Sequence, residues 1–286
     1  LNSQAMLEND LKRHNVPNVL LLTVDTLRAD HLSSFGYVRE TSPALDRLAR
    51  ESFVFRQAMA PWTKTNQSFA GLFTGKYCFA TGIGDSVASS LPSHNLVLAE
   101  ILKNAGYTTA AFVANANLSR YFNYHQGFDE YVEMWRRERG PARERQWDTA
   151  ERVTEKSIDW LSRQRSRKFF LWVHYVDPHT PYNPPPPYDT MFVGDRHANR
   201  YEELALDKIK PQHRVGDSRD PDLYVARYDG EIRFVDSQIE ILLAKLDELG
   251  LRDNTLLIFT SDHGESFVEN DLIFDHGYYA YDNCAH

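Results

Sequence analysis

The sequence predicts an α/β fold, a mostly parallel central sheet with helices on both faces, and three observations carry that prediction. Short apolar runs at residues 18–24, 108–114, 169–176 and 255–260 have the length and composition of buried strands. Segments with helical periodicity stand between them, so strands and helices alternate along the chain. Glycines mark the places where the helical segments stop, at Gly75, Gly106 and Gly250.

Taken in order, residues 18–24 read as a strand that ends abruptly in the polar string Asp25-Thr26-Leu27-Arg28-Ala29-Asp30. Ser42 and Pro43 open a helix running to Arg50, with serine as N-cap and proline at the first helical position. Residues 53–59 are a second short apolar run, followed by a loop rich in Pro, Trp and Thr. A helix is expected over 68–73 and an amphipathic one over 96–104, ahead of the strand at 108–114. Residues 136–167 are charge-rich and read as a solvated helix or pair of helices. The strand at 169–176 runs into Asp177-Pro178-His179. Residues 184–222 lack periodicity and read as a long surface excursion near the site. Over 224–249, Ile232, Val235, Ile239, Leu242, Leu243 and Leu246 repeat at helical spacing. The last strand, 255–260, ends in Ser261-Asp262-His263-Gly264.

Composition narrows the function classes. A chain of 286 residues with 42% hydrophobic content buries one large core or two modest ones. The net charge of −8 is spread along the chain and no long Lys/Arg run occurs, so nucleic acid is not an expected partner. Apolar runs such as 19–22 and 169–173 fall far short of the roughly twenty residues a membrane span needs. Cys78 and Cys284 form neither a disulfide framework nor a zinc-ligand spacing and read as buried small residues.

Three of the apolar strands end near an aspartate, Asp25, Asp177 and Asp262, and His179 and His263 follow two of these closely. In a parallel sheet the strand carboxyl ends share one edge, where open α/β folds bind ligands, so these five side chains are expected to converge. Carboxylate and imidazole donors suit a divalent ion such as Mn, Zn, Ca or Mg, and the lack of cysteine points to a catalytic rather than a structural site. Any one of these aspartates alone fits a turn or helix cap equally well. Three strand ends together favour a site.

Four blocks resemble the sulfatase family of the alkaline phosphatase superfamily. They are the stretch 18–32 from Asn18-Val19-Leu20 to Asp30-His31-Leu32, Asp177-Pro178-His179-Thr180-Pro181-Tyr182, Tyr228-Asp229-Gly230-Glu231-Ile232, and Ser261-Asp262-His263-Gly264-Glu265. The resemblance implies a metal-dependent hydrolase or transferase of sulfate or phosphate esters. It gives Asp25, Thr65, Asp262 and His263 as metal ligands and His179 as a contact to the substrate's anionic oxygens. His276, in Asp275-His276-Gly277, and Asp177 are its candidates for a second metal or the substrate. The implied partner is an anionic ester carried by a small molecule, a glycan or a lipid headgroup.

The nucleophile departs from the family pattern, in which a Cys/Ser-x-Pro-x-Arg motif precedes Leu-x-Thr-Gly and its first residue is oxidised to formylglycine. Counting back from Thr74-Gly75 places Thr65 at that position, with Gln67 and Phe69 where the proline and arginine stand. Threonine is not a substrate for the oxidation, and the Gly-Lys-Trp-His signature is missing after Gly106. A metal-bound threonine at a helix N-terminus remains a workable nucleophile, with phosphoesters and phosphodiesters favoured. Thr63 is the fallback if the register slips by two. The alternatives are a formylglycine-independent sulfatase-like homologue acting on sulfate esters and an inactive metal-binding or interaction module. Arg28 and Asp30 read as a surface ion pair or loop brace, and Lys76 and Asn117 as weaker candidates to reach an anionic oxygen. Residues 1–17 are expected to be an N-terminal extension to a catalytic domain at 18–286, one that lacks the family's C-terminal subdomain.

Overall fold

The computed structural model describes residues 16–84, 89–135, 149–164, 168–195, 201–277 and 282–285. Its strands are β1 (Asn18–Val24), β2 (Thr108–Val113), β3 (Glu130–Glu133), β4 (Phe169–Tyr175) and β5 (Thr255–Ser261), joined in the order β3-β2-β4-β1-β5. Every pairing is parallel. β3 carries no sequence signal, because its four residues are Glu-Tyr-Val-Glu and only Tyr131 is buried.

Strand side chains alternate between two cores, which is why the apolar runs are continuous. Leu20, Leu22, Val24, Leu171 and Val173 face one core, closed by α4 (Ala150–Ser162) and α5 (Pro221–Glu248) through Val153, Trp160, Ile232, Ile239 and Leu242. Val19, Leu21, Ala111, Phe170 and Trp172 face the other, closed by α2 (Thr65–Thr74) and α3 (Leu98–Asn104) through Phe69, Phe73, Ala99 and Leu102. Each fully buried aromatic or aliphatic side chain contributes about 1.5–3 kcal/mol. Trp172 is packed by Phe69, Phe73 and Phe128, with ring centroids 5.2, 4.7 and 6.0 Å away.

Several expectations are corrected. α1 (Pro43–Arg50) starts where predicted, but the Ser42 hydroxyl bonds the Asp46 carboxylate at 3.2 Å and caps nothing. The amides of Ala44 and Leu45 are taken instead by Asp236 of α5, at 2.9 and 2.8 Å. α2 starts at Thr65 rather than 68 and α3 at Leu98 rather than 96. α5 runs from Pro221, capped by the Asp220 carboxylate, to Glu248. α4 is not a solvated helix, since Val153, Trp160 and Leu161 are buried; residues 136–148 and 165–167 of that expectation lie outside the described residues. The run at 53–59 stays outside the core, with Phe53 97% and Phe55 79% exposed. The excursion at 184–222, of which 196–200 lie outside the described residues, is anchored by fully buried Ile209 between two single-turn helices, Leu206–Lys208 and Pro211–His213. Among the described residues, no helix is long and apolar enough to cross a membrane.

Candidate metal and substrate site

Register brings the strand-end residues to one edge. Val24 pairs with Tyr175 on one side and Ser261 on the other, so Asp25 and Asp262 are the next residues out and Asp177 is two beyond Tyr175. The Asp25 amide continues the ladder to the Tyr175 carbonyl at 2.9 Å. By alternation from Val19 and Leu21, Asp25 falls on the α2 face, and α2 begins with Thr65.

Asp25, Asp262 and His263 each offer a ligand atom, all within 4.8 Å of one another, and all three side chains are buried. His263 Nδ1–H donates to the Gly264 carbonyl at 2.9 Å, which leaves Nε2 as the lone-pair nitrogen. That Nε2 lies 3.2 Å from Thr65 Oγ1, 3.4 Å from Asp262 Oδ2 and 3.8 Å from Asp25 Oδ1. Asp25 Oδ1 and Asp262 Oδ2 are buried and accept no hydrogen bond among the described residues. Buried carboxylate oxygens are normally bonded, so this pair is suited to a cation. Electrostatics agree. Burial alone would raise the Asp25 carboxyl, but the His174 contact and the fields of His179 and His263 outweigh it and hold it below the usual carboxylate range. Asp262 is pushed well above that range by burial and by the Asp25 charge. Burial and the neighbouring His276 press His263 down to about 3, leaving it neutral and able to ligate. The residues therefore fit a divalent ion.

The backbone here is constrained. Thr26, next to Asp25, takes φ 53°, a costly region for a β-branched residue, and is held by Asp262 Oδ1 at its amide and the Tyr228 hydroxyl at its carbonyl. Gly264 admits no side chain, because a Cβ would stand 2.0 Å from the Asn283 carbonyl oxygen.

Above the cluster lies a histidine layer. The His276 ring is 4.4 Å from that of His263 and 5.2 Å from that of His179. His179 Nδ1–H donates to the Thr180 carbonyl at 2.7 Å. His276 Nδ1 meets Glu265 Oε1 at 3.0 Å. Glu265 is fully buried, and burial pushes its carboxyl up to about 7. The excursion adds Lys210, paired with Asp275, and His213, whose imidazole is lowered by burial, by Lys210 and by the fields of His179 and His276.

Of the sequence candidates, Asp177 is buried at this edge but lies outside the converging group of three. Thr63 is buried two residues ahead of Thr65, before the helix begins. Arg28 is a buried loop brace rather than a surface ion pair: it is 5% exposed and binds Asp30, Glu269 and the Glu265 carbonyl. Lys76 donates to Asn95 beyond the far end of α2, a helix about 15 Å long at 1.5 Å per residue. Asn117 contributes its amide to the Asn115 side chain at 2.9 Å. Both cysteines are buried. Sequence reasoning missed Asn115, His174 and Glu265. The only signal for the first two was a polar residue interrupting or ending an apolar strand.

A family model described as sulfatase matches residues 17–284. The ulvan-active sulfatase of Formosa agariphila is 28% identical over 279 residues, 90% of this chain and 52% of the relative, so the chain spans about half of that protein's length. Among solved structures, the phosphonate monoester hydrolase of Agrobacterium radiobacter superposes with TM-score 0.77 at 22% identity, covering 94% of this chain and 66% of the other. The C-terminal periplasmic domain of EcEptC from Escherichia coli, in complex with Zn, gives 0.68 at 20% identity, covering 92% and 68%. These two share the fold. With the match extending over nearly the whole chain, this protein belongs to the sulfatase family of the alkaline phosphatase superfamily.

Proposed function

We propose that the chain carries the catalytic centre of a divalent-metal-dependent hydrolase or transferase of phosphate, phosphonate or sulfate esters, with Thr65 as nucleophile. The observation that carries this reading is the Thr65 hydroxyl, at the first residue of α2 and 3.2 Å from His263 Nε2, beside two buried carboxylates that each keep an oxygen unbonded among the described residues. Asp25, Asp262, His263 and Thr65 would hold the ion. When bound, the ion supplies Lewis-acid polarisation and a lowered hydroxyl pKa at Thr65.

The chain's own groups do the rest. Thr65 Oγ would give its proton to solvent and form a bond to phosphorus or sulfur as the bond to the leaving-group oxygen breaks, and that oxygen would take a proton from solvent, which leaves the ester on Thr65. The N-terminal field of α2 favours the developing charge on Oγ. His179 and His276, whose rings lie 5.2 Å apart, are the candidates to donate N–H bonds to the equatorial oxygens over which charge spreads. Water or a second acceptor then takes the group from Thr65.

Threonine favours phosphorus, because it cannot enter the formylglycine route. The phosphonate monoester hydrolase among the fold neighbours supports that direction. A second reading, sulfate esters on a glycan, is supported by relatives named as sulfatases, the ulvan-active enzyme among them. The test is a turnover screen of aryl phosphodiester, phosphonate and sulfate with Mn²⁺ or Zn²⁺, run beside Thr65→Ala. The expected result is metal-dependent turnover of the phosphorus esters, lost in Thr65→Ala while metal is retained. Turnover of aryl sulfate alone favours the second reading. Metal binding with no turnover of any ester favours a non-catalytic module, and full activity in Thr65→Ala removes the nucleophile assignment.

A further inference from the structure

Asp25 is held asymmetrically. Its Oδ2 accepts from Asn115 Nδ2 at 2.5 Å and faces His174 Nε2 at 3.7 Å, whereas Oδ1 has no hydrogen-bond partner among the described residues and looks toward His263. Behind it runs a buried polar thread across two strands in register, Thr23 opposite His174. Trp172 Nε1–H donates to Thr23 Oγ1 at 2.9 Å, and Thr23 Oγ1 lies 2.9 Å from His174 Nδ1. Thr23 and His174 are fully buried.

We infer that Thr23, His174 and Asn115 are positioning residues that orient Asp25 so that Oδ1 alone is presented to the ion, an inference resting on the metal-site reading above. Thr23 has one hydroxyl proton and two acceptors in reach, His174 Nδ1 at 2.9 Å and the Val173 carbonyl at 3.5 Å. Having accepted from Trp172, it gives that proton to the nearer nitrogen. His174 then carries its own proton on Nε2, aimed at Asp25 Oδ2. The opposite tautomer would set an imidazole lone pair against a carboxylate oxygen, so the thread selects the attractive arrangement. At 3.7 Å the Nε2 contact is an electrostatic one rather than a formed hydrogen bond. Asn115, from the loop after β2, donates to the same oxygen. Supporting partners of metal ligands typically change metal affinity about 10–100-fold when removed.

The test is the Mn²⁺ or Zn²⁺ dissociation constant of the purified chain, measured by chelator competition with the apo melting temperature recorded alongside. Thr23→Val keeps the shape but lacks the hydroxyl and is expected to weaken binding on the order of tenfold, with Thr23→Ser restoring it. Asn115→Leu, on a different element, is expected to weaken binding by a similar factor of about ten and keeps the inference testable if Thr23→Val does not fold. Wild-type affinity in both Thr23→Val and Asn115→Leu overturns the positioning roles and leaves the metal site standing. So does weakened binding that Thr23→Ser fails to restore while its apo melting temperature is that of wild type. A wild-type chain that binds neither ion overturns the metal-site reading and this inference with it.

Discussion

Asp25 and Asp262 at the sheet edge and Asp229 and Asp236 on α5 are the same residue type at nearly the same burial, yet they are treated differently. Asp229 takes a contact on each oxygen, from His31 Nδ1 at 2.6 Å, the Tyr37 hydroxyl at 2.6 Å and Arg39 Nη1 at 2.7 Å. Asp236 accepts the first amides of α1. At the edge, by contrast, each carboxylate keeps one buried oxygen with no hydrogen bond among the described residues. Asp229 and Asp236 brace the segments around the site, and Asp25 and Asp262 turn a buried oxygen toward the site itself. Burial alone does not separate the two groups.

The sharpest way to break this comparison is Asp262→Asn. It removes a carboxylate oxygen that the proposed ion would require, so bound metal and turnover should fall together, activity by about a thousandfold or more, on the order of a lost essential group. The fold should persist, because a strand-end ligand packs no core. Metal analysis with circular dichroism checks both halves; full metal content in the variant would remove Asp262 from the ligand set.

On α5 the expected loss is of stability. Asp229→Ala strands Arg39 and His31 in a buried setting and should cost about 3–5 kcal/mol in a denaturant titration, as broken buried ion pairs do. Metal stoichiometry in the fraction that folds should match wild type. A variant that keeps its stability but loses metal would place Asp229 with the edge carboxylates and erase the distinction.

Much of this division escaped the sequence, for physical reasons. β1, β4 and β5 were legible because continuous apolar runs stop abruptly at aspartates, and that same boundary exposed Asp25, Asp177 and Asp262 as candidates. α5 was legible as a helix through its apolar positions, but that spacing says nothing of the partners of Asp229, Glu231 and Asp236, all three of which are fully buried. His174 hid inside a strand whose neighbours are aromatic, and its partner Thr23 became visible only when β1 and β4 were paired. The convergence of Thr65 with His263 depends on α2 docking onto the sheet, which no local pattern encodes.

A smaller effect is expected at Asp236. Burial pushes its carboxyl up to about 6, against the two amide bonds and Arg233. Asp236→Ala leaves the Ala44 and Leu45 amides without their cap and should cost about 1–2 kcal/mol, the range for lost helix caps. An unchanged denaturation midpoint would mean that α1 draws nothing from the bridge to α5.

The smallest effect concerns the excursion, whose allegiance between bracing and site is open to test by pH. His213 faces Lys210, Asp275, His179 and His276, and its imidazole is pushed from 6.5 down to about 4, by burial first and Lys210 next. Between those values the unfolded chain binds a proton that the folded chain refuses, so the contribution of His213 to folding stability should fall as pH drops through the window, against the opposite contributions of the raised carboxyls of Glu265 and Asp236. His263, pressed down to about 3, adds to the fall and carries it lower. His213→Gln keeps a polar side chain but does not titrate. The stability advantage of wild type over His213→Gln should therefore shrink as pH drops from 6.5 to 4 and stay constant below that. Denaturant midpoints taken across the window, with and without metal, read the result. A wild-type profile in His213→Gln would mean that the loop opens before the imidazole charges, and that His213 belongs to neither the brace nor the site.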